Sequence, residues 1–320
     1  MCTYNGAKYI SEQINSIINQ TYPVHELIIQ DDHSSDETWT ILQQYANEYP
    51  YIHVFQNEKE RGVNSNFFSA MERATGNYIA ISDQDDIWEP DKLEQQAPYL
   101  QDFMLIAGIT SSFADDNSVD VPFDGMAQNH HLERLIYTNA VAGHTMIFSK
   151  SLIEKIPDKT HWGQYYYYDH LLVLTATAHD SLMYLPIQLV RHRRLTDSLT
   201  YSKPISYEKN GMNAICYFFR TFQLFRTLRP EMRRHFKNMF LFLNAINTDS
   251  YARKNALQLS KLHAQNFFKS YIPLVLLCIR LKDKIFFRPE KNKVLAIARA
   301  LYFPISCSDY FRFSKKTDSK

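Results

Sequence analysis

Residues 76–88 read GNYIAISDQDDIW, and this stretch decides the fold class. Tyr78 to Ser82 is an apolar, strand-forming run that passes directly into the acids Asp83, Asp85 and Asp86. A short apolar run that ends abruptly in polar residues is typical of a buried strand. In open α/β sheets, ligands bind at the carboxyl ends of such strands. The acids therefore mark a candidate ligand site.

Strand and helix patterns alternate on the amino-terminal side of this run. Leu27–Ile29 and Ile52–Phe55 are predicted strands, and the first ends at Asp31-Asp32. Three predicted helices have apolar faces formed by Ile10, Ile14, Ile17 and Ile18, by Ile41, Leu42 and Tyr45, and by Phe67, Phe68 and Met71. Ser34 and Glu37 have the spacing of a capping box, and Gly76 suits a helix carboxyl cap. This alternation predicts an α/β fold, with a mostly parallel sheet flanked by helices.

The first strand of this sheet is unusually short in the sequence. Residues 1–6 read MCTYNG, a strand-to-helix turn with almost no strand before it. A strand in such a sheet needs about five more apolar residues at this point. We therefore expect the first strand to be truncated in this sequence.

Composition excludes several classes of protein. The 35 Lys and Arg residues nearly balance the 34 Asp and Glu residues, so the overall charge gives no case for nucleic-acid binding. The four cysteines show neither metal-ligand nor disulfide spacing, which favours a reduced, cytoplasmic setting. Polar residues interrupt the first 20 positions, where a secretory signal would be apolar. The most apolar run, Tyr271 to Ile279, is about half the length needed to span a bilayer.

Residues 205–320 have a different pattern, with helical stretches rich in Phe, Leu, Lys and Arg. Bulky apolar residues together with basic ones are typical of helices that lie on an anionic membrane surface. The alternative is a helical region that packs on the catalytic body and exposes a solvated basic face. The sequence leaves both open.

The acidic run at residues 83–86 has a physical reason to bind a cation. Asp83, Asp85 and Asp86 repel one another and gain nothing from their proximity unless a cation joins them. Mg²⁺ and Mn²⁺ take oxygen ligands, often one or two carboxylates together with substrate phosphates. A solvated acidic loop is the alternative, but the preceding apolar strand and the following Ile87-Trp88 favour a metal–diphosphate site.

These stretches resemble glycosyltransferase family 2, whose members have the GT-A nucleotide-diphospho-sugar fold. The matching segments, in the order and spacing of the family, are residues 2–6 (CTYNG), 19–22 (NQTY), 28–36 (IIQDDHSSD) and 76–88. The resemblance is dense over residues 2–100, thinner to about 200 and absent beyond. It is greatest to the bacterial branch that builds capsule, O-antigen and cell-wall polysaccharides, including rhamnosyltransferases.

The resemblance implies roles at the donor. Thr3, Tyr4 and Asp32 would surround the base and ribose, where a carboxylate can accept the imide N–H of uracil or thymine. Asp83 would lie by the ribose and diphosphate and contribute to the metal site, and Asp85 would be the metal ligand. Asp86 would support these residues without binding the ion itself. The alternatives are a core aromatic for Tyr4 and a turn-capping pair for Asp31-Asp32.

The resemblance also implies a base and a phosphate clamp. Asp169 matches the acidic residue at the start of a helix near the acceptor, which is the general base of inverting members; the alternative is an ordinary helix cap. No role is assigned to His170. Arg191 and Arg194 lie in a segment, residues 191–194, that covers the donor diphosphate in relatives; the alternative is a solvated basic loop. Residues 143–146 match a family loop near the acceptor only weakly.

Together these features predict an inverting, metal-dependent hexosyl- or rhamnosyltransferase. It would use Mg²⁺ or Mn²⁺, a UDP- or dTDP-sugar and a glycan or lipid-linked glycan acceptor. The predicted domains are a GT-A catalytic domain at 1–204, with nucleotide-binding and acceptor halves at 1–100 and 101–204, and a helical region at 205–320. The enzyme would be cytoplasmic, with possible membrane contact through the carboxyl-terminal helices. Two alternatives remain open: a sugar-phosphate nucleotidyltransferase, and a degenerate, non-catalytic GT-A binding protein.

Overall fold

A computed structural model describes residues 1–115, 119, 121, 128–195, 212–288 and 290–311. The strands are β1 Cys2–Thr3, β2 Leu27–Asp31, β3 Ile52–Gln56, β4 Tyr78–Ala80, β5 Ile87–Trp88, β6 Leu105–Phe113, β7 Ile147–Ser149 and β8 Leu182–Arg193. The helices are α1 Ile10–Ile18, α2 Thr38–Glu48, α3 Val63–Arg73, α4 Lys92–Gln96, α5 Leu132–Leu135, α6 Ser151–Glu154, α7 Lys159–Trp162, α8 Tyr168–Ala178, α9 Met212–Ala245, α10 Tyr251–Ala264, α11 Phe267–Arg280, α12 Lys282–Ile285 and α13 Lys293–Ser306.

The chain folds into two compact units. The first, an α/β unit, comprises Met1–Met126, Val141–Ala176 and Ser181–Pro204. The second, a helical unit, comprises Ala127–Ala140, Thr177–Asp180 and Ile205–Lys320. The predicted boundary between residues 204 and 205 lies outside the described residues, so that division stays a prediction.

A parallel sheet of β1, β2 and β3 forms the first part of the α/β unit. The predicted strands at 27–29 and 52–55 are confirmed as β2 and β3. Every residue of β2 is buried, and β2 lies between β1 and β3 in this sheet. Strand β1 is only two residues long and pairs through Cys2 with Gln30 and through Thr3 with Asp31.

The second sheet is mixed, with strand order β4-β7-β6-β8-β5. β4 pairs antiparallel with β7, and β5 pairs antiparallel with β8, while β6 and β8 run parallel. The sequence predicts β4 as a further parallel strand, but its partner comes from a distant part of the chain. After β4, the carbonyl of Ser82 accepts a bond from the Cys2 N–H at 3.4 Å. The acidic run therefore begins beside the start of the parallel sheet.

Two predicted helix caps are wrong. The Ser34 hydroxyl donates to Asp31 Oδ1 at 2.6 Å instead of capping α2, and Asp36 Oδ1 accepts the Thr38 N–H at 3.0 Å. α3 ends at Arg73, before Gly76, whose N–H donates to Glu26 Oε1 at 3.0 Å. In both cases a nearby carboxylate binds the group that the local pattern assigns to a cap.

The helical unit is built on a packed core of aromatic side chains. Phe236 and Phe242 of α9 are fully buried, and the Phe236 ring stacks on His263 of α10 at 4.3 Å. The Tyr137 hydroxyl lies 3.0 Å from His263 Nε2. No helix among the described residues has both the length and the apolar character needed to cross a membrane.

Candidate active site

Asp86 is the buried centre of the acidic run. Its Oδ1 lies 2.7 Å from His192 Nδ1 and accepts the Arg193 N–H at 3.2 Å. Its Oδ2 lies 3.1 Å from His144 Nδ1, but no described residue bonds to it with hydrogen-bonding geometry. The two imidazole rings stack at 4.8 Å. β8 supplies His192 and a short turn before β7 supplies His144, so two distant segments meet on one carboxylate.

The charges of this cluster are mutually dependent. Burial alone would lower the pKa of His144, but the carboxylates of Asp86 and Asp83 raise it to about 9. Burial alone would raise the pKa of Asp86, but His144 and His192 lower it. An imidazolium and a metal cation are therefore alternative partners for the same carboxylate.

Asp85, next to Asp86 in the chain, is in an environment that disfavours a charged carboxylate. Burial, followed by the negative charges of Asp86 and Asp83, raises the pKa of Asp85 to about 7. Asp83 is about one-third exposed, and its Oδ2 lies 3.5 Å from His144 Nδ1. A cation near these acids would relieve the repulsion that raises the pKa of Asp85.

The residues present fit a divalent cation. Ligand atoms of Asp86, His144 and His192 lie within 4.8 Å of one another, and Asp86 Oδ2 is an orphaned buried acceptor. Mixed imidazole and carboxylate donors suit Mn²⁺ and its neighbours, whereas Mg²⁺ prefers oxygen ligands. The predicted ligands Asp85 and Asp83 adjoin this group, and their roles as metal ligands stay predictions. The sequence did not assign His144 or His192 to the metal.

The predicted base lies next to the loop that carries His144. Asp169 is the second residue of α8, and its Oδ1 accepts the His170 N–H at 2.7 Å. A Cβ on Gly143 would come within 3.2 Å of the Asp169 Cβ, so the two backbones approach closely. Burial, followed by the negative charges of Asp83 and Asp169, raises the pKa of Tyr168. Asp169 thus lies beside the loop that carries His144, and its role as the base stays a prediction.

The predicted donor-binding residues differ in their exposure and in the hydrogen bonds that they make within the protein. The Tyr4 ring is half-exposed and its hydroxyl donates to Glu60 Oε1 at 2.6 Å, so it is not a core aromatic. Thr3 is buried and donates to Asp31 Oδ1 at 2.7 Å. Asp32 accepts the N–H groups of Arg61 and Gly62 at 2.8 and 2.9 Å. Donor contacts by all three stay predictions.

The basic segment divides between two faces of β8. The Arg191 guanidinium lies 4.9 Å from the centre of the Phe113 ring, and Arg194 Nη1 lies 3.4 Å from His192 Nε2. Arg193 is buried, donates through Nε to the Asp85 carbonyl at 3.0 Å, and pairs with Asp115 and Glu12. Arg193 therefore fixes the backbone of the acidic run, while the diphosphate roles of Arg191 and Arg194 stay predictions.

Comparison with known proteins identifies the fold and family. Residues 1–156 match the sequence model of the family described as glycosyl transferase family 2. Residues 1–156 belong to glycosyltransferase family 2. The structure of S. aureus TarS 1-349 in complex with UDP-GlcNAc has a TM-score of 0.56 at 17% identity, and the match covers 99% of this chain and 89% of that one. This likeness confirms the predicted GT-A fold with its helical carboxyl-terminal region.

Curated relatives match part of this chain. The putative teichuronic acid biosynthesis glycosyltransferase TuaG of Bacillus subtilis is 37% identical over 141 residues, covering 43% of this chain and 54% of that protein. The Escherichia coli UDP-Glc:α-D-GlcNAc-diphosphoundecaprenol β-1,3-glucosyltransferase WfgD is 38% identical over 96 residues, covering 30% of this chain and 37% of that protein. The chain thus spans about half the length of TuaG and less of WfgD.

Sequence reasoning missed three residues of this site. His144 and His192 face Asp86, and Arg193 binds the backbone of Asp85. Period-two alternation along β8 was an available signal, because it puts His192 and Arg194 on the face opposite Arg191 and Arg193. His144 had only the weak match of residues 143–146 to a family loop near the acceptor, and a turn of the chain brings it to the acids from a distant segment.

Proposed function

We propose that this protein transfers a sugar from a nucleotide-diphospho-sugar to a glycan acceptor with inversion. The observation that carries the proposal is the placement of Asp169 beside the loop of His144, which itself contacts the acids after β4. A transferase needs an anion-neutralising group for the departing diphosphate and a base for the acceptor. The site supplies candidates for both within one unit of the fold.

The residues divide the chemistry between them. Asp169 takes the proton of the acceptor hydroxyl as the oxygen forms its bond to the anomeric carbon. The bond from that carbon to the diphosphate oxygen breaks, and its electron pair leaves with the nucleotide diphosphate. Attack from the face opposite the leaving group inverts the anomeric centre through an oxocarbenium-like transition state.

Asp85, Asp86, His144 and His192 are the residues that would hold a Mn²⁺ or Mg²⁺ ion, with Asp83 at its edge. When bound, such an ion would stabilise negative charge on the departing phosphate as a Lewis acid. Arg191 in β8 and Arg194 directly after it add positive charge, and the fork of an arginine suits phosphate oxygens. The donor base, uracil or thymine, would lie on Tyr4 and Asp32.

The acceptor is proposed as a growing glycan of a capsule, O-antigen or cell-wall polymer. The names of TuaG and WfgD support this class, and the name of WfgD specifies a sugar on a lipid diphosphate. The transferred sugar would be a hexose or a rhamnose. We place the enzyme in the cytoplasm, peripheral on the inner face of the plasma membrane, where a lipid-linked acceptor would be reached.

Two variants test the assignment of roles. Asp85→Ala should abolish transfer and metal-stimulated hydrolysis of UDP-, dTDP- and GDP-sugars; wild-type hydrolysis in that variant would end the metal assignment.

Asp169→Asn should keep donor binding in calorimetry and lose transfer, by about 10²–10⁴-fold. Equal loss of donor binding and transfer would show that Asp169 is structural.

A further inference from the structure

The helical unit exposes a line of large apolar side chains on α11. Phe268 and Ile272 are 90% and 70% exposed, and Leu276 is also exposed. These residues are four positions apart, so they lie on one face of the helix. The opposite face, with Leu274, Leu277 and Cys278, is buried in the unit and accounts for the packing of α11.

The neighbouring helix α13 repeats this arrangement. Val294 is 78% exposed, and Ile297 and Leu301 are exposed at the following turns of the same face. Ala296, Ala300 and Phe303 on the other side are buried. Single exposed apolar residues are normal on a protein surface, but a helix that exposes an ordered row of them has an unpartnered face.

The two helices that carry these rows, α11 and α13, pack against each other. The Tyr271 hydroxyl of α11 donates to the Leu301 carbonyl of α13 at 3.3 Å. At the same end, the ring of Phe218 in α9 stacks on Tyr302 at 5.0 Å. Phe219, next to it, is exposed. We call the exposed side chains of α11 and α13 the α11–α13 face.

The charged residues within the two helices of this face are all basic. α11 contains Lys269 and Arg280 and α13 contains Lys293 and Arg299, and neither helix contains an acidic residue. Arg299 pairs with Glu290 at 3.3 Å, whereas Lys269 and Lys293 are exposed beside the apolar rows. Apolar side chains flanked by lysines are the chemistry that binds an anionic lipid surface.

We propose that the α11–α13 face docks this protein on an anionic phospholipid bilayer, with the apolar rows among the acyl chains and Lys269 and Lys293 at the headgroup phosphates. The proposal rests on the proposed function only in that a lipid-linked acceptor gives the docking a purpose. A second copy of this chain fits the face less well, because pairing two such faces would bring lysine against lysine.

Vesicle flotation of the full chain, without donor or acceptor, tests the proposal. Wild type should float with phosphatidylglycerol–phosphatidylcholine vesicles and much less with phosphatidylcholine alone. Phe268→Gln/Ile272→Gln/Leu276→Gln should lower the partition coefficient by about a hundredfold. Lys269→Glu/Lys293→Glu should lower it by more than about tenfold at low salt. Tyr251→Gln on α10 and Lys155→Glu in the α/β unit are matched controls and should bind as wild type does.

Each result against membrane docking can be distinguished from a failure of the proposed enzymatic function. Wild-type protein that stays in solution with both vesicles, or a triple variant that floats as wild type does, would overturn the docking surface while leaving donor hydrolysis as it was. Sedimentation without lipid adds a further check: a wild-type dimer that the triple variant converts to a monomer would assign the face to a second copy instead. Circular dichroism of the variants shows whether they are folded.

Discussion

Lys92 is a fully buried lysine whose contacts lead toward the active site. Its Nζ donates to Gln96 Oε1 at 3.0 Å and lies 4.1 Å from the centre of the Trp88 ring. Burial lowers the pKa of Lys92 to about 7. The Gln96 amide donates in turn to the carbonyls of Thr145, at 2.9 Å, and Ile106, at 3.2 Å. The pair thus fixes the turn that carries the histidine next to Thr145.

Replacing Lys92 by Met should change how stability depends on pH. Between the lowered folded pKa of about 7 and the unfolded value near 10.4, the unfolded wild type binds more protons than the folded protein. The free energy of unfolding of wild type therefore rises with pH across this window. Lys92→Met lacks this gain, so its stability relative to wild type should fall by about 3 kcal/mol between pH 7 and pH 10.

Urea denaturation at both pH values measures this difference, and Lys155→Met, on the surface of the α/β unit, is the matched control. A constant difference between Lys92→Met and wild type across the window would show that the folded protein keeps Lys92 charged. In that case the Trp88 ring and the Gln96 oxygen would outweigh the effect of burial.

The acids of the site were predictable because they follow a strand within one local pattern. Asp83, Asp85 and Asp86 stand together in the sequence, and like charges in a row indicate a cation without knowledge of the fold. The histidines were not predictable in this way. Their role depends on the pairing of β4 with β7 and of β5 with β8, which brings distant segments to Asp86.

Asn64, in the first turn of α3, anchors the start of α8. Its amide donates to the carbonyls of Gly163 and Tyr166 at 2.6 and 2.9 Å, and its Oδ1 accepts the Tyr168 N–H at 2.7 Å. Phe67, one turn later, stacks on the Tyr168 ring at 3.9 Å. α3 therefore sets the position of the helix whose second residue is the proposed base.

Asn64→Ala should remove these three bonds and cost about 2–3 kcal/mol of stability. The melting temperature should fall by roughly 5 °C. Because the start of α8 loses its anchor, kcat should fall more than donor KM changes. Calorimetry and steady-state kinetics measure both effects, and replacement of the exposed Asn47 of α2 by Ala is the control. Loss of stability with unchanged kcat would show that α3 does not position the base.

Helices and strands with strong local patterns were predictable, and their ends were not. The apolar faces of α1 and α3 and the buried strand β2 follow from spacing alone, because burial of those side chains dominates their energetics. The two wrong caps involve Ser34, bound by Asp31 three residues earlier, and Gly76, bound by Glu26 from a distant segment. The first competing bond is local, whereas the second is decided by tertiary structure and leaves no trace in local spacing.

Catalysis and lipid docking make separate demands on this chain. The α/β unit holds the residues proposed for donor and base, and the helical unit holds the α11–α13 face. A transferase that meets its acceptor in a bilayer gains rate from a high local concentration, because docking restricts the search to the surface. This gain applies only to acceptors that are themselves in the bilayer.

Transfer should therefore depend on the α11–α13 face only when the acceptor is membrane-bound. With the proposed lipid-linked glycan acceptor placed in anionic vesicles, Phe268→Gln/Ile272→Gln/Leu276→Gln should slow transfer by about tenfold or more at limiting enzyme. With a short-chain, water-soluble analogue the same variant should match wild type, as should Tyr251→Gln with either acceptor. High salt should reproduce part of the loss in wild type, since it screens Lys269 and Lys293 from the headgroups. If the triple variant is slowed equally with both acceptors, the substitutions damage the enzyme itself. If the triple variant matches wild type with both acceptors, docking contributes nothing to turnover.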